Sequence, residues 1–207
     1  MFQNLFQNIF IDISSLIRFN QSDEKEMDNK CNKIFIDHLT NEKNIIGFIS
    51  EEEENIKFLN YNEIKKSGII ISFDPLDGSS NYESNINVGS IYCVYNYDLE
   101  NEKIIEVLEA GYCLYGPSTI LVQSNNNKLN MYLLNNKNEF DFIKEIHFDN
   151  NKKIKKIYSI NESNTYNKEI NYLLNSYKNL NYNMRWVGTM VADVHRILMN
   201  DGIFYYP

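Results

Sequence analysis

Leu5, Ile9, Ile13 and Leu16 recur at four- and three-residue steps near the start of the chain, with polar residues between them. That spacing predicts a core-facing amphipathic helix over 4–18. A second helix is predicted around 27–41. The period then changes. Ile45–Ser50, "IIGFIS", and Ile69–Phe73 are short apolar runs that predict buried strands. Val88–Tyr95 and Lys103–Tyr115 alternate as two strands or as a strand–helix pair. Thr119–Gln123 and Asn130–Leu134 predict an antiparallel pair around the polar turn at 124–128. Lys156–Ile160 reads as a short strand and Asn167–Tyr177 as a helix. A last helix is predicted over Met190–Met199, opened by Gly188–Thr189 and closed by Gly202. Strands interleaved with helices predict a layered α/β (α+β) sandwich. With only 3 prolines, no Gly/Ser linker and no internal repeat, no flexible boundary divides the chain.

Composition narrows the class. An apolar content of 43% over 207 residues is enough for a sizeable core, and 23% charged residues is ordinary for a soluble globular protein. The net charge of −8 leaves no basic footprint for nucleic acid and no polybasic membrane patch, so neither is expected as a partner. No apolar run reaches the roughly eighteen residues of a membrane span. The apolar N-terminus lacks a basic region and an A-x-A-like site and carries Asp12, which favours a core helix over a signal peptide. Cys31, Cys93 and Cys113 are odd in number and lie in apolar settings, as reduced thiols of a cytoplasmic protein would. Asn makes up 33 of the 207 residues and is spread through every predicted element, so a single Asn carries little information.

Three segments carry candidate chemistry. In Phe73-Asp-Pro-Leu-Asp-Gly-Ser-Ser-Asn81 the strand is expected to end in a turn that projects Asp74 and Asp77. Two carboxylates and the Leu76 carbonyl then make a hard-oxygen site suited to Mg²⁺ or Mn²⁺. Gly78, Ser79 and Ser80 offer amides and hydroxyls to an oxyanion. An Asx-type turn capping a helix accounts for the same letters. Glu51–Glu54 also follows a buried strand. Such a run is either a solvated loop or, if the two strand ends share an edge, the rest of a two-metal carboxylate site. In Arg185–Arg196, "RWVGTMVADVHR", Arg185 is a candidate phosphate fork, while Asp193, His195 and Arg196 read equally well as surface pairs. Asn161 in "YSINES" could donate to a sugar or phosphate oxygen.

Taken in order, "SEEEE", "FDPLDGSSN", "GYCLYGPST", "KIYSINES", "RWVGTMVADVHRIL" and "GIFYYP" resemble the fructose-1,6-bisphosphatase family over about 22–207. The metal loop is shared with the wider inositol-phosphatase-like superfamily. "VGTMVADVHR" favours the fructose bisphosphatase branch over the sedoheptulose-1,7-bisphosphatases. The resemblance implies a sugar-phosphatase fold with an N-terminal metal-binding α/β domain over 1–150 and the start of a substrate-binding domain over 151–207. It implies metal ligation by Glu51, Asp74, Asp77 and the Leu76 carbonyl, with Mg²⁺, or Mn²⁺ or Zn²⁺, as the cofactor. Asp28 and Glu52 would orient and deprotonate the attacking water. Gly78, Ser79 and Ser80 would hold the 1-phosphate, Asn161 and Arg185 the 6-phosphate, and Gly188, Thr189 and Met190 would line the sugar. The implied substrate is a small sugar bisphosphate. The family's arginine crosses a subunit interface, so a homo-oligomer, dimer or tetramer, is implied.

The chain departs from that pattern in places. Ser22 stands where an acid is expected, with Asp23 beside it; the loop before Asp28 is short. Trp186 and Asn164 replace tyrosines, although Tyr166 is near. Gly68, Ile69 and Asn96 stand where AMP-contacting residues belong, so AMP regulation is not expected. The family's last metal-ligating Glu and its substrate-contacting Tyr and Lys fall after "GIFYYP", which implies an incomplete C-terminal part. The expectation is an active longer form and a weak or inactive 207-residue form. The rivals are a phosphosugar-binding or subunit-interaction protein without catalysis, and a fragment with no stable fold of its own.

Overall fold

The computed structural model describes residues 2–19, 22–59, 66–125, 127–147, 155–163 and 166–206. The first apolar stripe becomes α1 (Gln3–Phe19), which buries Leu5, Phe6, Ile9, Phe10 and Ile13 on one side. α2 (Glu24–Thr40) begins at Asp23, whose carboxylate accepts from the Glu26 amide at 2.8 Å and so caps the helix. Asp23 is thereby committed to the helix end.

Eight strands follow: β1 (Ile45–Ser50), β2 (Lys57–Phe58), β3 (Ser67–Asp77), β4 (Val88–Asp98), β5 (Lys103–Tyr115), β6 (Thr119–Asn125), β7 (Lys128–Leu134) and β8 (Phe140–Glu145). They form one sheet in the order β2-β1-β3-β4-β5-β6-β7-β8. β1 and β3 run parallel, and the other neighbours are antiparallel. A second sheet holds β9 (Ile157–Ser159) between β10 (Asn183–Met184) and β11 (Ile203–Phe204), all parallel. α3 (Lys168–Asn179) packs Leu174 against Tyr158 and Ile160.

Alternation along the strands builds the layers. Phe73, Tyr92, Val94, Cys113 and Leu121 face α1 and α2, where Phe35 stacks on Phe73 with centroids 4.3 Å apart. Residues of the other parity, Tyr112, Leu114 and Val122, receive Val191 and Ala192 of α4 (Met190–Asn200). α4 also packs on β9 and β11, so it joins the two sheets. No helix among the described residues is long and apolar enough to cross a membrane.

The layered α/β class and the four helices follow the hydrophobic pattern. Lys103–Tyr115 is strand throughout, so the strand–helix alternative falls away. β8 was not expected from the pattern; it is mostly exposed, "FDFIKE", and lacks a clean buried face. β2, β10 and β11 are two-residue pairings that no periodicity can announce. Asn126 in the expected 124–128 turn, and the 150/151 division of the chain, lie outside the described residues.

Candidate active site

Parallel pairing of β1 with β3 sets Ser50 beside Phe73, so the residues that follow, Glu51 and Asp74, leave the sheet at the same edge. The Glu51 amide donates to the Phe73 carbonyl at 3.1 Å and extends that pairing by one step. The strand does not stop there, as the turn reading expected. Asp74 pairs with Ile91 and Asp77 with Gly89, so three steps on β3 oppose two on β4 in a bulge. Pro75 sits inside the bulge, where a missing N–H costs no ladder bond, and its carbonyl accepts from Ser90 Oγ at 2.7 Å. The bulge, and not a turn, carries both aspartates to the edge while Leu76 stays buried in the core.

The carboxylates act on one another. Burial pushes Asp74 up to about 8, helped by a hydrogen bond with Glu51 and by the charges of Glu51 and Asp77, against the Leu76 amide that donates to its Oδ1 at 3.0 Å. Asp77 is raised by burial and by Glu51 and Asp193, while the amides of Val191 and Met190 pull it back. Asp28, on α2, is raised to about 6 by burial and by Glu52, Glu24 and Glu51, with Ser79 opposing. Glu52 is raised by partial burial and by Glu51. No lysine or arginine figures among the groups acting on these four. A set of hard oxygen donors that repel one another and lack a cationic side chain fits a hard divalent ion such as Mg²⁺. Among the described residues no three His, Cys, Asp or Glu side chains are closed into a ligand cage as they stand.

Gly78, at φ 75°, turns the chain from β3 into a short 3-10 turn over Ser79–Asn81. A Cβ at Gly78 would collide with Thr189, so only glycine fits. Ser79 Oγ donates to Glu24 Oε1 at 2.9 Å, and Ser80 is exposed. Asn81 Nδ2 donates to the Val187 carbonyl at 3.2 Å and to Thr189 Oγ1 at 2.9 Å. Asp77 in turn accepts from the amides of Met190 at 3.2 Å and Val191 at 2.5 Å. The end of β3 with the turn after it and the start of α4 are thus stitched together.

Between them opens a cleft of about 280 Å³, lined by Asp77, Asn161, Gly188 and Met190 and by the aromatic rings of Tyr166, Trp186, Tyr205 and Tyr206. Four of the sequence-predicted residues therefore meet at one cavity. Thr189 stands behind it, fully buried, with Oγ1 donating to the Asn87 carbonyl at 2.6 Å. Arg185 is exposed and gives an Nη1 hydrogen to the Met184 carbonyl at 2.8 Å, outside the cleft. Asn164 lies outside the described residues; Tyr166 reaches the cleft and donates to the Asn161 carbonyl at 2.7 Å. A larger groove of about 590 Å³ touches Glu51 and Asp74, but its other walls are largely apolar, including Ile91, Ala110 and Leu129. That lining suits a hydrophobic contact; the smaller, polar cleft suits a phosphosugar.

Pattern alone missed several of these residues. Glu24 lies one turn before Asp28 on α2 and reaches Ser79, and the (i, i+4) spacing was the available signal. Tyr205 and Tyr206 carried no signal apart from the resemblance. Asp193 is no surface partner: it is fully buried and accepts from the amides of Val187 and Gly188. His195 is half-buried against Tyr112 at 2.9 Å, and burial lowers its pKa.

Comparison with known proteins gives consistent matches. Residues 10–145 match the family model "Fructose-1-6-bisphosphatase, N-terminal domain", and 151–207 match the corresponding C-terminal domain model. A class 1 fructose-1,6-bisphosphatase of Neisseria meningitidis serogroup B is 39% identical over 204 residues, covering 89% of this chain and 60% of the relative. One from Sulfurihydrogenibium sp. is 36% identical, with 88% and 58% covered. The crystal structure of Leishmania major fructose-1,6-bisphosphatase in apo form superposes with a TM-score of 0.83 at 28% identity, covering 99% of this chain and 70% of that one. The chain spans about 60% of the length of the curated relatives it matches.

Proposed function

This chain belongs to the fructose-1,6-bisphosphatase family, and on that premise we propose that its site serves metal-dependent hydrolysis of the 1-phosphate of fructose 1,6-bisphosphate, giving fructose 6-phosphate and phosphate. One observation carries the reading. Glu51, at the end of β1, raises both Asp74 and Asp77 on β3, and Asp77 runs directly into the polar cleft that holds Asn161, Gly188 and Met190.

Glu51, Asp74, Asp77 and the Leu76 carbonyl are the groups to hold divalent cations, Mg²⁺ first, with Mn²⁺ or Zn²⁺ as substitutes. Bound there, the ions would supply neutralisation of charge on the phosphoryl group and a more acidic water. Asp28, raised to about 6, and Glu52 are suited to accept a proton from the attacking water near neutral pH. The water oxygen bonds to phosphorus, the bond from phosphorus to the sugar oxygen breaks, and a proton passes to that leaving oxygen. Gly78, Ser79 and Ser80 face the 1-phosphate, which exchanges for the Glu24 carboxylate at Ser79. Asn161 holds the 6-phosphate, with Gly188 and Met190 along the sugar.

In this division residues 1–150 supply the ions and residues from 151 onward the sugar contacts. Arg185, exposed and outside its own cleft, suits a phosphate contact made across an interface in a homo-oligomer. Three free cysteines suit a reducing, cytoplasmic setting.

Phosphate release from fructose 1,6-bisphosphate, with and without Mg²⁺, tests the proposal. Release that needs the ion and is lost in Asp74→Asn supports it; unchanged release in Asp74→Asn contradicts it. Substrate binding without release in the wild-type chain points to the non-hydrolytic rival.

A further inference from the structure

Asp193 is the most completely enclosed acid near the cleft, and the roles assigned above leave it unused. It is fully buried in the first turn of α4. Its carboxylate turns back on the loop before the helix: Oδ1 and Oδ2 accept from the Val187 amide at 3.1 and 3.0 Å, and Oδ2 from the Gly188 amide at 3.1 Å. Arg196, one turn later, brings Nη1 to 3.5 Å from Oδ1. A buried carboxylate with three amide contacts and a guanidinium close by is held firmly, and removing it leaves two amides without partners.

The loop it holds has two outputs. Gly188, at φ 88°, lines the cleft with Met190. Two and three residues further on, the amides of Met190 and Val191 hold the Asp77 carboxylate. Thr189 makes no side-chain cap of its own helix, because its hydroxyl donates to Asn87. Capping of the first two helix amides therefore comes from Asp77 across the chain, while Asp193 holds the loop amides just before the helix. Each Asp77 oxygen accepts one amide and keeps lone-pair capacity for a further partner.

We propose that Asp193 is a positioning residue: by clamping the Val187–Gly188 amides it fixes the start of α4, and through the Met190 and Val191 amides it aims the Asp77 carboxylate toward the other acids while setting the Gly188–Met190 wall of the cleft. This rests on the hydrolase reading of the site. It adds a coupling between the two halves of the site, since one buried acid on the substrate side sets the direction of a carboxylate on the ion side.

The test uses the whole chain, with Leu39→Ala as a reference variant destabilised in the core beside α1 and away from α4. Mn²⁺ affinity is measured by calorimetry, and kcat and KM for phosphate release are measured separately, at a temperature where all variants are folded. Asp193→Asn keeps the shape but turns an N–H₂ toward the amides. It is expected to weaken Mn²⁺ binding and to lower kcat by about tenfold or more each, changes that Leu39→Ala does not share. Values for Asp193→Asn that match Leu39→Ala overturn the proposal. If Asp193→Asn does not fold, Gly188→Ala takes its place. A Cβ there meets nothing nearer than 3.7 Å, so the change strains the loop through φ alone. Wild-type Mn²⁺ affinity in Gly188→Ala overturns the proposal, and a tenfold loss supports it. A wild-type chain that neither binds Mn²⁺ nor releases phosphate removes the hydrolase reading and the proposal together, which separates that failure from failure of the coupling alone.

Discussion

Ser50 Oγ donates to Asn32 Oδ1 at 2.8 Å, and both residues are buried. Asn32 lies one helical turn after Asp28 on α2, and Ser50 is the last residue of β1 before Glu51 and Glu52. One hydrogen bond thus sets the helix that carries Asp28 against the strand that delivers the glutamates. The charge of Glu52 on Asp28 is the electrostatic trace of that registration. Ser50→Ala leaves the Asn32 amide oxygen buried without its donor, at a cost of about 1–3 kcal/mol. For a chain of this size each kcal/mol lowers the melting temperature by roughly 2–4 °C. Thermal unfolding followed by circular dichroism should show that drop; an unchanged melt would mean that the two elements are registered by packing alone.

The carboxylate cluster gives the metal-free protein a signed pH dependence. A carboxyl whose folded pKa is raised stabilises the fold while protonated, and that contribution is lost as pH climbs through the folded value. For Asp28 the loss ends near pH 6 and for Asp74 near pH 8. His195 acts in the opposite direction, because its lowered pKa costs stability only as pH falls below about 6.5. Between pH 6.5 and 8 the metal-free melting temperature should therefore decline, and Asp74→Asn should flatten that decline. An equal slope in the variant would remove Asp74 as its source.

Gly78 is the tightest point between the two halves of the site. Its φ of 75° and the collision of any Cβ with Thr189 predict that Gly78→Ala both strains the loop and pushes the start of α4 away. The expected result is a loss of roughly 1–3 kcal/mol from backbone strain alone, with phosphate release falling further than the stability change explains. A variant that melts and turns over like the wild type would show that the loop and α4 are not in contact in solution.

The hydrophobic period made most of the fold legible, because α1, α2, β1, β3 and β5 each bury a face whose spacing survives in the letters. It could not show β8, which buries little, or the two-residue strands, which owe their existence to neighbours. At the site, the acidic ends of two strands were legible, but whether those ends share an edge was left open, and the parallel pairing of β1 with β3 decides it. The bulge was not legible. Pro75 suggested a turn, and only the three-against-two register with β4 shows why the strand can carry a proline and still reach Asp77. The burial of Asp193 was hidden for a related reason. A charged residue in "ADVHR" looks solvent-facing until the loop that folds over it is known.

If the acids at the ends of β1 and β3 share a divalent cation, a count of released protons reveals it. An ion bound at Asp74, whose pKa is pushed up to about 8, must displace a proton at pH 7. Calorimetric titration of the chain with Mn²⁺ at pH 7, in two buffers of different ionisation enthalpy, reads that release. The expected result is saturable binding with proton release in the wild type and loss of both in Asp74→Asn. Binding with no proton release, or binding of equal strength in Asp74→Asn, would contradict it.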